Sequence, residues 1–321
     1  MQAPTPCPIL YTVLPCCNEE EVLPRTAPLC KEVTESLIAA GKISPESRIL
    51  LVDDGSRDGT WNVIRALAAQ NPIYRGISLS RRRGQQNALL AGLTEACPHC
   101  DITVTADCDG QDDFSVIGKM VDAYLEGCDV VYGVRSDRDT DSFAKRTSAR
   151  MFYRILTALG VESVYDHADC RLLSRRALEA LLQFREVHLY LRGIVPLIGF
   201  KSTAVEYRRG ERLAGRSHYP PGEMLALAWD AVTGLSVRPL RIISFTGFLF
   251  SLLSAVGIIW SVMRYFTGNT VSGWASTVCI VCFVSGVQLC SIGVLGEYIG
   301  RIYMEVKARP RYFIADRTDG E

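Results

Sequence analysis

The chain has 321 residues, 48% of them hydrophobic, and 35 Lys+Arg balance 35 Asp+Glu, so it carries no formal net charge. That length holds one full-sized core with a second element beside it, and the charge balance excludes a nucleic-acid binder held by bulk electrostatics. Twelve cysteines in a long chain that opens MQAPTPCPIL, without a basic and then apolar leader, read as reduced thiols of a cytosolic domain rather than as a disulfide framework.

In chain order, ILYTVLP (9–15), RILLVDD (48–54), YRGISLS (74–80), DITVTADCD (101–109) and DVVYGVR (129–135) read as strands. Between them, stretches 20–41, 59–70, 84–96 and 114–127 carry apolar residues at helical spacing. This alternation predicts an α/β fold, a mostly parallel sheet with helices on both faces, whose ligand sits at the carboxyl ends of the strands. Cys97 and Cys100 form a single C-P-H-C without a second pair at zinc-finger spacing, and Cys16 and Cys17 are vicinal; both sets are expected to be loop or core thiols.

From Ile242 to Gly296 the only charged residue is Arg264. Ile242–Met263 and Trp274–Leu295 each reach the roughly 20 residues a helix needs to cross a bilayer core, and the polar, glycine-containing stretch between them reads as a hairpin loop. Arg238 and Arg241 precede the first span, and Arg301, Lys307, Arg309 and Arg311 follow the second, so both ends are expected in the cytoplasm. Glu223–Leu235 has the spacing of an amphipathic helix lying on the membrane surface, although a packed soluble helix has the same pattern.

Three of the strands run into polar clusters. Pro15-Cys16-Cys17-Asn18-Glu19-Glu20 follows the first, and Asp53-Asp54-Gly55-Ser56-Arg57-Asp58-Gly59-Thr60 follows the second. Acidic residues at a strand end can bond ribose hydroxyls and base edges, though this turn alone is also what an ordinary helix cap looks like. The third cluster places Asp107 and Asp109 after DITVT, with Gln111, Asp112 and Asp113 beyond. Carboxylates at i and i+2 in a turn can jointly present oxygens to a hard divalent cation that neutralises a diphosphate.

With these clusters in order, the sequence resembles the family-2 (GT-A) glycosyltransferases, in the branch of bacterial polyprenyl-phosphate enzymes that includes the bactoprenol glucosyltransferases and is related to dolichol-phosphate mannose synthase. The resemblance rests on P-x-x-N-E-E at Pro15, V-D-D-G-S-x-D-G-T at Val52, G-Q-x-x-A-L-x-A-G-L from Gly84 to Leu93 and D-x-D-x-Q-D at Asp107. It continues with D-x-A-D-x-R-L from Asp166 to Leu172, R-x-A-G-x-S-x-Y from Arg212 to Tyr219, and L-G-E-Y-I-G-R-I-Y-x-E-V-K-x-R-P-x-Y from Leu295 to Tyr312.

The resemblance implies a Rossmann-like GT-A catalytic domain over residues 7–220, a juxtamembrane helix over 221–241, a two-helix transmembrane hairpin over 242–296 and a cytosolic tail over 297–321. It implies an enzyme of the inner membrane, multi-pass, that moves a sugar with inversion from a nucleotide-sugar to a polyprenyl phosphate. UDP-glucose and undecaprenyl phosphate are the expected pair; a GDP-mannose transferase, a processive polysaccharide synthase and a non-catalytic scaffold are the alternatives. By the same resemblance the donor is held by Pro15, Asn18, Glu19, Asp53, Asp54, Ser56, Asp58, Gly84, Gln85, Asp107, Cys108, Asp109 and Gln111, and Mg²⁺ or Mn²⁺ by Asp107 and Asp109. Asp169 matches the position of the catalytic base and joins Asp109 and Asp112 as the expected catalytic set, Asp109 at the diphosphate and metal and Asp112, with Gln111, at the sugar end. Arg171, Arg209, Arg212, Arg216 and His218 are the expected ligands of the acceptor phosphate, since guanidinium forks match phosphate geometry; Arg171 is also placed to pair with Asp169. A homo-oligomer, a tetramer by resemblance, and a downstream flippase complete the expected partners. Cys17, Arg82, Cys108, Gly110 and His218 depart from the usual family residues, and none of these changes removes a carboxylate.

Overall fold

The computed structural model describes residues 7–135, 167–186, 191–207, 238–266 and 273–319. The chain divides into two compact units, one of residues 1–153, 162–218 and 309–321, the other of 154–161 and 219–308.

The first unit is built on an eight-stranded sheet. Its strands are β1 (Leu10–Cys16), β2 (Arg48–Asp53), β3 (Tyr74–Leu79), β4 (Ile102–Thr105), β5 (Val130–Arg135), β6 (His167–Ser174), β7 (Ser202–Tyr207) and β8 (Ile314–Arg317), in the spatial order β7-β5-β6-β4-β1-β2-β3-β8. The pairs β1–β2, β1–β4, β2–β3 and β5–β7 are parallel; β6 runs antiparallel between β4 and β5, and β8 antiparallel on β3. The sheet is thus mostly parallel, as the alternation of elements predicts, with two reversed strands that it did not.

Side chains alternate faces along a strand, and here both faces are apolar. Leu10 and Leu14 of β1, Ile49 and Leu51 of β2, and Ile102 and Val104 of β4 join one core with helices α1 (Leu23–Ala39), α2 (Thr60–Gln70) and α4 (Val116–Leu125). Tyr11 and Val13, then Leu50 and Val52, join the opposite core with α3 (Gln85–Ala96), α5 (Arg175–Leu182) and α6 (Leu191–Leu197). Helix α3 lies very close to the sheet, because a Cβ at Gly92 would fall 2.5 Å from Val13 and 2.7 Å from Val52. Cys100 lies in the second core, where burial pushes its thiol up to about 12.

Residues 309–319 return to this unit. Beyond the pairing of β8 with β3, Tyr312 and Ile314 pack against the second core, the Arg311 guanidinium donates to the Phe184 carbonyl at 2.8 Å, and the Thr318 hydroxyl accepts from the Gly76 amide at 2.9 Å. The segment expected as a tail therefore ends in the sheet rather than beside it.

The second unit contains two long helices, α7 (Arg238–Phe266) and α8 (Trp274–Lys307). The Phe250 and Phe283 rings meet edge to face with centroids 5.8 Å apart, so the two helices pack on each other. Both display large apolar side chains outward, among them Phe245, Phe248 and Trp260 on α7 and Ile280, Leu289 and Ile302 on α8. Among the described residues one segment, Phe283–Lys307 with mean hydropathy 1.3, is long and apolar enough to cross a membrane. The expected surface helix at Glu223–Leu235 lies outside the described residues.

Candidate active site

The carboxyl ends of the parallel strands converge on one edge of the sheet. Because β6 is antiparallel, with Thr105 opposite Arg171 and Val134 opposite His167, its first residues reach that same edge. Asp169 and Arg171 therefore join the loops after β1, β2 and β4.

After β1 the chain turns through Asn18 at φ +57°, a left-handed conformation that Asn tolerates better than most residues. The Asn18 amide donates to the Ser56 hydroxyl at 3.0 Å and its side-chain oxygen accepts from the Arg57 amide at 2.9 Å. Glu19 donates its amide to Thr60 Oγ1 at 2.9 Å, while Glu20 and Asp58 each accept from, or donate to, the other's loop. The loops after β1 and β2 are thus laced together before any ligand arrives. Asp53 is filled within the same framework, its two oxygens accepting from the Ser56 amide and the Ser78 hydroxyl.

Asp54, 3% exposed, directs its oxygens at the loop after β3: Oδ1 accepts from the Arg83 amide at 2.6 Å and Oδ2 from the Gly84 amide at 2.8 Å. Burial pushes its carboxyl above the ordinary value, and the two amides and Arg82 pull it back. That loop also rests on Gly55, at φ +61°, where a Cβ would stand 2.5 Å from backbone atoms of Arg81 and Arg82. Only glycine fits so close an approach in that conformation. The arginine loop is therefore bound to the turn after β2 by backbone packing and by one carboxylate.

The loop after β4 carries the acidic cluster. Asp107 accepts from Gln85 Nε2 at 2.7 Å, its amide donates to Asp112 Oδ2 at 3.2 Å, and Asp109 Oδ1 accepts from the Gln111 amide at 3.0 Å around Gly110 at φ +74°. Asp112 is also held by the Tyr207 hydroxyl at 2.8 Å. Cys108 points into the core, where its hydrogen bond with Cys16 and burial keep its thiol well above the ordinary value. Asp107 and Asp109 supply hard oxygen donors of the kind Mg²⁺ and Mn²⁺ take, and such ions are commonly held by one or two carboxylates with substrate phosphates completing the shell. Among the described residues no group of three or more His, Cys, Asp or Glu is gathered to hold a metal ion, so a cation here would rely on these two carboxylates and on a substrate for its remaining oxygens.

Asp169, 7% exposed, lies between two guanidinium groups. Arg171 Nη2 approaches Oδ1 at 3.2 Å from two residues along the same strand face, and Arg192 of α6 forms a fork, Nε to Oδ1 and Nη2 to Oδ2, both at 2.9 Å. Gln85 Nε2 is shared between Asp107 and, at 3.5 Å, Asp169, so the two carboxylate centres stand one side chain apart.

The sequence-expected donor residues Pro15, Asn18, Glu19, Asp53, Asp54, Ser56, Asp58, Gly84, Gln85, Asp107, Cys108, Asp109 and Gln111 all lie in or beside these loops. Of the expected acceptor residues Arg171 alone is described: its side chain is 2% exposed, so it is the buried partner of Asp169 and is not presented to a lipid head. Arg209, Arg212, Arg216 and His218 lie outside the described residues. Sequence reasoning did not single out Arg192 or Tyr207; both reach the site through tertiary packing, from α6 and the end of β7.

A model of glycosyl transferase family 2 matches residues 11–182, and one of the GtrB C-terminal hairpin matches 238–302. An uncharacterized glycosyltransferase of Bacillus subtilis, YkoT, is 47% identical over 96% of this chain and 91% of its own length. The bactoprenol glucosyl transferase of Shigella phage SfX is 36% identical over 95% of this chain and 98% of its own. Among solved structures, glucosyl-3-phosphoglycerate synthase from Mycobacterium tuberculosis, in complex with Mn²⁺, UDP and phosphoglyceric acid, covers 72% of this chain and 78% of its own at 20% identity and a TM-score of 0.46, a likeness too low to bear on function. With more than half its length matched by the family model and relatives alike from end to end, the chain belongs to glycosyltransferase family 2.

Proposed function

We propose that this hexosyltransferase moves glucose from UDP-glucose to undecaprenyl phosphate, with inversion, on the cytoplasmic face of the inner membrane. The observation that carries the reading is the presence, in one chain, of a carboxylate-ringed sheet edge and of two long helices with outward apolar side chains, in a sequence 36% identical to a bactoprenol glucosyl transferase along nearly its whole length. Exposed apolar surface of that extent is characteristic of contact with lipid, and a lipid-borne acceptor accounts for an anchor on a sugar transferase.

The loops after β1, β2 and β3 hold the nucleotide, with Asp53 and Asp54 fixing the loops and Asn18, Glu19 and Ser56 lining them. Asp107 and Asp109 would hold Mg²⁺ or Mn²⁺, which would supply charge neutralisation for the leaving diphosphate. An oxygen of the acceptor phosphate bonds to the anomeric carbon while the bond from that carbon to the nucleoside diphosphate breaks, and the electron pair leaves with the diphosphate. Attack from the opposite face inverts the configuration. The nucleophile is already an anion near neutral pH, so Asp169 has little proton to remove; its work is to hold the guanidinium groups beside it in place. Asp112, held by Tyr207, steadies the loop at the sugar end.

Radiolabelled UDP-glucose, UDP-galactose, UDP-N-acetylglucosamine and GDP-mannose offered to membranes containing the protein test the reading. Label from UDP-glucose is expected in an organic-soluble product released by mild acid; label in the lipid from GDP-mannose alone assigns the other sugar, and label only in water-soluble or polymeric product overturns the lipid acceptor.

A further inference from the structure

The arrangement around Asp169 contains one more cation than a buried carboxylate needs. Arg171 is 2% exposed and fixed on β6, and among the described residues its buried Nη1 has no hydrogen-bond partner; it is a permanent counter-ion. Arg192 differs in three respects. Its side chain is 34% exposed, it comes from a separate element whose first residue is tethered by the Leu191 amide to Gln86 Oε1 at 3.1 Å, and it holds Asp169 through a two-pronged fork. A guanidinium fork meets phosphate oxygens in the same geometry as carboxylate oxygens. Gln85 links Asp169 to Asp107, so Arg192 stands at the reacting end of the donor site.

We propose that Arg192 is a ligand of the acceptor phosphate, parked on Asp169 until the acceptor arrives. The inference rests on the phosphate-acceptor reading above. On arrival the phosphate competes for the fork, Arg192 turns from Asp169 to the phosphate, and Asp169 keeps Arg171 as counter-ion, so no buried charge is left unpaired, which would be costly. Exposure gives Arg192 room to turn, and the buried, under-bonded Arg171 lets the carboxylate release it. Two cations around one carboxylate thus divide the work: Arg171 is a positioning residue and Arg192 a binding residue.

The test uses the full-length protein in detergent, with undecaprenyl phosphate titrated at saturating donor, for wild type, Arg192→Lys and Arg192→Ala. Arg192→Ala is expected to raise the acceptor KM about ten- to a hundredfold. Donor KM should stay within about twofold, and Lys should recover part of the loss because it keeps the charge but not the fork. If Arg192 merely holds Asp169 in place, turnover falls with the acceptor KM unchanged, and the proposal is overturned. Loss of donor binding together with a lowered melting temperature also overturns it, as that marks a structural prop. The wild-type arm reports separately on the acceptor: wild type that transfers to undecaprenyl phosphate, beside an Arg192→Ala variant with an unaltered acceptor KM, defeats this inference alone, whereas wild type that transfers only to other acceptors defeats the parent reading and this one with it.

Discussion

Asp54→Asn separates two roles for a carboxylate that sequence comparison assigns to the nucleotide. In the structure both its oxygens are occupied by the Arg83 and Gly84 amides, at 2.6 and 2.8 Å, in a site 3% exposed. An asparagine retains one acceptor oxygen and presents an NH₂ to the other amide, so one charge-assisted bond becomes neutral and one buried N–H faces a donor. Losing such a bond costs about 1.5–3 kcal/mol, which in a domain of this size lowers the melting temperature by roughly 3–10 °C. The strain reaches the site, since the loop packs on Gly55 and leads into Gln85, which holds Asp107. Thermal melting with and without UDP, beside calorimetric titration of UDP, should show a lowered apo melting temperature together with weaker binding. An unchanged apo melting temperature with binding lost would mean that Asp54 touches the nucleotide directly, and the positioning role would be refuted.

Other outcomes follow from the same geometry. Asp107→Asn and Asp109→Asn should each lose most metal-dependent transfer while keeping the wild-type circular dichroism spectrum, and full activity of both variants in EDTA would remove the metal from the account. Deleting residues 309–321 should destabilise the catalytic unit and raise the donor KM, because Phe313 O holds the Ser80 amide at the entrance to the arginine loop. Arg317→Ala, which removes the partly exposed fork to Glu95 while leaving the β8 backbone in place, should cost under about 1 kcal/mol, and equal effects of the two changes would contradict the role given to β8. The two-span topology proposed from the basic residues that flank residues 242–296 is tested separately: reporters fused at the N-terminus and after Glu321 should read cytoplasmic and one at Gly268 the opposite side, and a protected C-terminus in inside-out vesicles would contradict it.

How much was legible depended on whether the signal was local. Strands β1 to β5 and helices α1 to α4 announce themselves through apolar runs with buried faces on both sides, and their observed bounds fall within a few residues of the predicted ones. Strand β6 did not, because Asp169 and Arg171 interrupt HADCRLLS with charge; the interruption is the ion pair itself, two residues apart on one strand face. Strand β8 is a four-residue strand whose partner lies more than 230 positions earlier, so no local pattern marks it. The carboxylates of the site were readable from their motifs. What they are bonded to was legible only for the local pair of Asp169 with Arg171: that Asp54 grips a loop, that Asp112 is held by Tyr207 and that Arg192 also holds Asp169 are consequences of packing between separate elements.

The central claim is most directly tested by the product itself. Purified full-length protein, incubated with UDP-glucose, undecaprenyl phosphate and Mg²⁺, should yield a lipid heavier than the acceptor by one anhydrohexose, with the β-linkage that inversion of an α-linked donor requires. Asp107→Asn should yield almost none. A product of retained α configuration, or glucose released to water with the lipid unchanged, would contradict the account.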